Sequence, residues 1–459
     1  MMEFRQDNYF EVYGRFMFPE FGIEDSTPGK IVYKRDGRLN SLTLEIYGSL
    51  ETDDFDRSYI DGRFRLHNII GYTNEGMAVL IEGAILSNGN ITDPKFSYIE
   101  YKFRNCLFLK LKIENFEPIA KKLSNNGIYN MEVTSCQYSF SGIDNRIDES
   151  KVFCTYDENN YTFGVDFDNV KEDFYLVDNE NLKFSSGMEI SSGENTFNEE
   201  FYWSLESIDE SCFDIKSILD NVDIFKELLE ILLSVPIDYS YLKFRIPIEE
   251  MENKLLTGYL VRNRIWVDEY KKFSTDIKYG KIKGNFEEIL CNWFENINKL
   301  TVIVQNYIIN KNALQYNQSI LLNSIKSLEM YHRNFIQERE KERLKLYINK
   351  NSEIDFKIRL IDLFDNLNDE IKHKLIKNEK DSENVTIEEF AKKLVKTRNY
   401  YTHGDPKKLN KYVIRDSIEI IETTLLLNQL IKYCICKELF DLDDEIIEII
   451  TKGMNGVIK

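Results

Sequence analysis

The sequence predicts an α+β multidomain protein, with a β-rich antiparallel N-terminal domain followed by an all-α helical bundle. Three observations carry this. The first half alternates short apolar and β-branched runs with turn dipeptides. From Asn285 onward almost every stretch repeats its apolar residues at helical spacing, and glycine is nearly absent. The chain has 459 residues, more than one hydrophobic core usually supports. The two glycines of Tyr279-Gly280-Lys281-Ile282-Lys283-Gly284 mark the boundary, giving domains 1–283 and 284–459.

Within the first domain, Ile31 to Tyr47 reads as a hairpin about Asp36-Gly37, with Leu42-Thr43-Leu44-Glu45-Ile46 alternating beyond it. Met77 to Ile91 forms a second unit with apolar residues around Asn88-Gly89. Further strands are expected in Phe103–Ile113, Tyr129–Phe140, Val152–Phe167 and Phe184–Ile190. Gly71-Tyr72-Thr73-Asn74-Glu75-Gly76 reads as a hairpin loop. Short strands with turn signals between them suggest a sandwich-like or barrel-like antiparallel domain. The pattern then changes, because Ile218, Leu219, Val222, Phe225, Leu228, Leu229 and Leu232 place a helix over Ile215–Leu233.

The second domain predicts helices over Phe286–Ile309, Ala313–Tyr347, Ile354–Leu367, Ile387 to about Tyr401, Leu409–Leu439 and Asp444–Thr451. Glu340 with Arg343 and Glu342 with Lys345 support the exposed face of the long second helix. An antiparallel bundle follows.

Composition excludes several classes. With 42% hydrophobic and 13% aromatic residues the chain has material for cores, which argues against disorder. No apolar run reaches the length of a membrane span, since Leu228–Val235 is interrupted by Glu230 and stopped by Pro236. The start, Met1-Met2-Glu3-Phe4-Arg5-Gln6-Asp7, lacks the features of a signal peptide, so a cytoplasmic protein that does not engage membranes is expected. Seven scattered cysteines fit a reducing compartment, and Cys434-x-Cys436 in an apolar helix reads as buried thiols. His67, His332 and His373 form no metal-ligand spacing, and neither a phosphate loop nor a dinucleotide fingerprint occurs; no metal or cofactor is expected. A net charge of −19 argues against nucleic acid, yet Ile371 to Arg415 holds twelve Lys and Arg against six Asp and Glu. On charge alone that segment reads as a solvated helix face.

The candidate chemistry lies in that segment. Thr386-Ile387-Glu388-Glu389 is a capping box that starts a helix with Phe390, Leu394 and Val395 on its buried stripe; Gly404 and Pro406 end it. Arg398 and Asn399 occupy its last turns and His403 its exit. On a continuous helix the five positions from Arg398 to His403 amount to a rotation of roughly 140°. A helix that frays before Gly404 lets His403 fold back toward Arg398. Imidazole is the side chain suited to proton transfer near neutral pH.

Arg398-Asn399-Tyr400-Tyr401-Thr402-His403 resembles the HEPN ribonuclease signature, an Arg with a following polar residue and a His four to six residues on. The stretch Ala391–Gly404 looks especially like the HEPN domain of ApeA-type anti-phage proteins, and Ser327-Leu328-Glu329-Met330-Tyr331-His332-Arg333 is similar to that family too. Tyr13-Gly14-Arg15-Phe16, the Gly29–Gly48 hairpin and Ile69-Ile70-Gly71 are similar to its β-rich N-terminal domain. The resemblance implies an abortive-infection effector that cuts RNA without a metal, through attack of the RNA 2′-hydroxyl. His403 would move the proton, Arg398 would stabilise charge on the phosphoryl oxygens, and Asn399 would orient His403 or the phosphate. Glu329 would support Arg398 from behind. The implied partners are RNA, a second copy docked through the helical domain, and a phage-derived trigger. The alternative is a non-catalytic HEPN-like interaction or dimerisation module beside a β-rich ligand-binding domain. A carbohydrate-binding reading requires an aromatic-lined pocket within residues 1–283, whose Phe and Tyr are explained more simply by core packing.

Overall fold

The computed structural model describes residues 4, 9–36, 39–48, 50, 66–90, 98–141, 152–157, 160–165, 173–192, 197–234, 237–248, 254–262, 277–311, 313, 317–347, 354–377, 386–404 and 411–455. They divide into two compact units, Met1–Asp223 with Ile237–Tyr270, and Ile224–Pro236 with Lys271–Lys459. The first is β-rich and antiparallel and the second helical. The glycine-bearing segment 279–284 belongs to the second unit.

The first unit opens with six strands, β1 (Phe10–Met17), β2 (Thr27–Asp36), β3 (Leu39–Tyr47), β4 (His67–Thr73), β5 (Ala78–Asn90) and β6 (Tyr98–Phe103). The hairpin expected from Ile31 to Tyr47 is β2 and β3, paired from Gly29↔Ile46 to Asp36↔Leu39; its turn residue Gly37 lies outside the described residues. These strands close on themselves in the order β1-β2-β3-β6-β5-β4, because β5 pairs with β4 through Ala78–Ala84 and with β6 through Ile85–Asn90. A strand that changes partners must bend, and β5 does so at Gly83, whose φ of +65° an L side chain rarely adopts. Asn88-Gly89 makes no turn: both residues pair within β5, opposite Glu100 and Ile99. The barrel interior is filled by Val12, Phe16, Ile31, Leu44, Ile69 and Tyr101 among others, so it is a packed core.

The sheet continues from β5 through β7 (Asn105–Leu109), β9 (Ser135–Phe140), β12 (Asp173–Val177), β13 (Leu182–Ser192), β14 (Phe197–Ser207), β16 (Tyr239–Pro247) and β17 (Leu255–Arg262). Its order is β5-β7-β17-β16-β9-β14-β13-β12. The short β8 (Glu132–Val133) pairs with β15 (Phe213–Asp214), and β10 (Val152–Asp157) with β11 (Asn160–Val165). Helix α1 (Phe116–Asn126), which the sequence reading passed over, covers part of the barrel side beside β4 and β5.

Helix α2 covers Ile215–Leu233, the span its apolar spacing predicts, and passes from the first unit into the second after Asp223. In the second unit follow α3 (Phe286–Lys311), α4 (Gln318–Tyr331), α5 (Phe356–Asp365), α6 (Asp369–Lys377), α7 (Ile387–His403), α8 (Ser417–Leu439) and α9 (Asp444–Asn455). Helices α3, α4 and α8 share a buried polar contact: Asn310 Nδ2 donates to Ser324 Oγ at 2.9 Å and to Asn428 Oδ1 at 3.1 Å. The fully buried Lys432 donates to the Leu232 carbonyl at 2.8 Å and to Ser234 Oγ at 2.6 Å, a cation at the negative end of α2.

Helix α6 was not expected from the sequence, and two expected helices differ in extent. The single helix expected over Ala313–Tyr347 starts at Gln318, where the Asn317 side chain caps it, and widens into a π turn over His332–Ile336 before shorter helical pieces. The helix expected from Leu409 begins instead at Ser417, where Asp416 Oδ1 accepts from Ile418 N at 3.0 Å and Glu419 N at 3.1 Å. No helix among the described residues is long and apolar enough to cross a membrane.

Candidate active site

The site is built on α7. Thr386 Oγ1 accepts from Glu389 N at 3.3 Å, and Glu389 Oε2 accepts from Thr386 N at 3.2 Å, so the capping box is formed. Phe390, Ala391, Leu394 and Thr397 make its buried stripe, and Phe390 packs on Phe364 of α5 with ring centroids 5.7 Å apart. The helix ends at Gly404, left-handed at φ +59°, whose N–H donates to the Tyr400 carbonyl at 2.9 Å. Beyond residues 405–410 the chain returns along α7. Ile414 N donates to Thr397 Oγ1 at 3.0 Å, and the Tyr401 hydroxyl donates to the Ile414 carbonyl at 3.0 Å.

Arg398 continues that face of the helix, four residues after Leu394 and seven after Ala391. Its Nη1 donates to Asn399 Oδ1 at 3.2 Å, its Nη2 lies 3.9 Å from Glu329 Oε2, and its guanidinium sits 5.5 Å from the centre of the Phe356 ring. The Glu329 side chain, on the last turn of α4, is only 11% exposed, and its other oxygen accepts from Arg333 Nη2 at 2.6 Å. The structure therefore brings Arg398, Asn399 and Glu329 together. It also adds Arg333 and Phe356, which sequence reasoning did not single out. Arg333 follows Glu329 by four positions, a spacing the sequence displays. Phe356 meets Arg398 only through the tertiary approach of α5, and no linear pattern signals it.

His403 is placed apart. The helix does not fray, as one branch of the sequence reading required; it stays helical through His403, which is exposed. Five residues of continuous helix set it about 7.5 Å along the axis and roughly 140° around it from Arg398. Asn399 engages Arg398, and no hydrogen bond between Asn399 and His403 is formed among the described residues. Within one chain, Arg398 and His403 face different directions.

The remaining histidines are structural in setting. His332 is fully buried, and its Nε2 lies 2.9 Å from Asp362 Oδ2, whose other oxygen accepts from Arg343 Nη1 at 2.6 Å. Burial pushes the His332 imidazole below its ordinary range. Burial raises the Asp362 carboxyl, but the hydrogen bonds from Arg343 and His332 outweigh it and hold it low. His67 opens β4, with its ring 5.3 Å from Phe18, and His373 is exposed on α6. Cys434 and Cys436 are buried free thiols, and burial pushes Cys436 up to about 11. Among the described residues no group of three or more His, Cys, Asp or Glu is arranged to hold a metal ion. A cavity of about 200 Å³ lined by Tyr331, Ile336, Arg339, Leu363, Tyr433 and Cys434 does not include the Arg398 cluster. That cluster lies at the surface.

Against this geometry, two family models match the chain. One described as Apea-like HEPN covers residues 322–445, which hold Glu329, Arg333 and Arg398 to His403. One described as ApeA N-terminal domain 1 covers residues 11–293, well over half of the 459-residue chain. No curated protein and no solved structure gives a significant match.

Proposed function

The chain belongs to the ApeA family of HEPN proteins, and on that premise we propose that it is an anti-phage effector of the abortive-infection type whose helical unit is a metal-independent endoribonuclease. HEPN domains are generally nuclease folds. The observation that carries this reading is the state of Arg398. It is 39% exposed and among the described residues gives one hydrogen bond, to Asn399, while its ion-pair partner Glu329 stands off at 3.9 Å. Of the five N–H donors of a guanidinium, most are left for an anion.

In the proposed reaction the RNA 2′-hydroxyl loses its proton and attacks the adjacent phosphorus. The bond to the 5′-oxygen breaks, and that oxygen takes up a proton. The fragments carry a 2′,3′-cyclic phosphate and a 5′-hydroxyl. Arg398 stabilises the charge on the phosphoryl oxygens, His403 handles a proton, and Asn399 holds Arg398 in place. Because Arg398 and His403 of one chain face different directions, the working site combines Arg398 of one copy with His403 of a second copy. The β-rich unit reads a phage-derived trigger, and the protein acts in the cytoplasm.

The test is end-group analysis of RNA cut by the purified full chain. Cleavage is expected to persist in EDTA, to leave the two named ends, and to stop when the nucleotide before the cut is 2′-deoxy or when His403 is replaced by Ala. A divalent-ion requirement, or equal cutting of the deoxy-substituted strand, overturns the reading. The separation of Arg398 from His403 favours one second reading, a non-catalytic docking module. Full-chain protein without ribonuclease activity in any state, trigger included, decides for it.

A further inference from the structure

Glu329 holds two guanidiniums. Its Oε1 accepts from Arg333 Nη2 at 2.6 Å and its Oε2 faces Arg398 Nη2 at 3.9 Å. We propose that Arg333 is a second phosphate-binding residue of the RNA site, taking a backbone phosphate next to the one held by Arg398; this rests on the ribonuclease reading above.

Three observations support the assignment. The first is charge: two arginines share one carboxylate, so one positive charge remains uncompensated within the trio, and an anion is what completes it. The second is donor capacity. Arg333 gives one N–H to Glu329 and its side chain is 50% exposed; its other donors meet no protein acceptor among the described residues. The third is backbone form. The π turn His332–Ile336 begins one residue before Arg333, and π turns are uncommon and concentrate at functional sites. An ordinary surface pair four residues apart differs from this one, because there both partners are solvated; here the carboxylate is buried and shared with the residue proposed to stabilise the phosphoryl oxygens.

The experiment uses the full chain carrying His403→Ala, so that RNA is bound and not cut, with a fluorescently labelled, mixed-sequence single-stranded RNA oligonucleotide as probe. Affinity is measured by anisotropy across a range of KCl concentrations. Adding Arg333→Ala is expected to weaken binding about tenfold at low salt, the scale of one charge-assisted contact. It is also expected to reduce the slope of log affinity against log salt by about 0.7, the signature of one lost phosphate contact on a single strand. Arg333→Lys restores the slope and only part of the affinity. The same loss of slope is expected when Arg333→Ala is made on a Glu329→Gln background, which separates a direct contact from an effect passed through Glu329. Arg333→Gln serves if the alanine variant fails a circular-dichroism check. Unchanged affinity and slope, a slope change that vanishes on the Glu329→Gln background, or a His403→Ala protein that does not bind the RNA overturns the proposal. The ribonuclease reading fails separately, if His403→Ala cuts RNA as fast as the parent while Arg333 still governs the slope.

Discussion

His332 shows how a side chain beside the proposed site can be committed to something else. It sits three residues after Glu329 and one before Arg333, yet it is fully buried and turned to Asp362. A neutral imidazole donates from Nε2 to the carboxylate, and its Nδ1 meets no partner among the described residues. Burial disfavours a charged ring, and the positive charges of Arg359 and Arg343 oppose a further one there. The folded protein thus resists protonating His332, whereas the unfolded chain accepts the proton at the ordinary imidazole pKa. Stability from this source is complete above about pH 6.5 and is lost as pH falls below it toward the depressed folded value. Asp362 works further into acid, because its lowered carboxyl favours the fold above the ordinary aspartate range and ceases to as pH drops. The melting temperature is therefore expected to fall between pH 7 and pH 5, and His332→Gln, which keeps an amide donor toward Asp362, is expected to flatten that fall. An equal slope in the variant would assign the dependence elsewhere. Residue by residue, the part of the cluster legible in the sequence was what a short linear pattern encodes, namely Arg398-Asn399 and the carboxylate of Glu329, whereas the expected approach of His403 to Arg398 is not seen within one chain. Phe356 under the Arg398 guanidinium was hidden because its position is set by how α5 approaches α7.

Among the elements, α7 is the one whose start and stop are both chemically explicit. Thr386 and Glu389 satisfy each other's backbone donors at its first turn. Thr386→Ala is expected to cost the helix about 1 kcal/mol, seen as roughly fivefold faster amide exchange over its first turn, with Thr386→Ser close to the parent. Unchanged exchange would mean that packing on α5 alone fixes that turn. Elements with such local signals were legible: α2 follows its apolar spacing, and β2 and β3 follow their alternation. Others were not, for identifiable reasons. Asn88-Gly89 has the composition of a hairpin turn, but β5 is long enough to serve both β4 and β6, and pairing with β6 holds those residues extended. The run Ala313–Tyr347 is helical in propensity throughout, so nothing local announces the π turn at His332. Asp369–Lys377 was missed because its many charged residues obscure the buried positions Ile371 and Leu375 that anchor it.

At the scale of the whole molecule, the geometry of α7 makes a claim about copy number. If the working site joins Arg398 of one copy to His403 of another, a mixture of the Arg398→Ala and His403→Ala proteins regains one intact site in each mixed dimer. About a quarter of parental activity is expected after equal mixing, from statistical pairing and one good site of two. No recovery, in a mixture that light scattering shows to be exchanging dimers, would place both residues of a site in one chain. A different consequence follows from the strand order of the first unit. The six barrel strands lie within residues 10–103 and can close among themselves as soon as they have left the ribosome. The strands β7 and β9, though only some 30 residues apart in the chain, are never neighbours; the hairpin of β16 and β17 stands between them. That hairpin begins at Tyr239, well after β9 ends at Phe140, with all of α2 made in between. During translation the facing edges of β7 and β9 therefore stay open until β16 and β17 emerge, and the first unit is expected to complete its sheet only after residue 262 has been made.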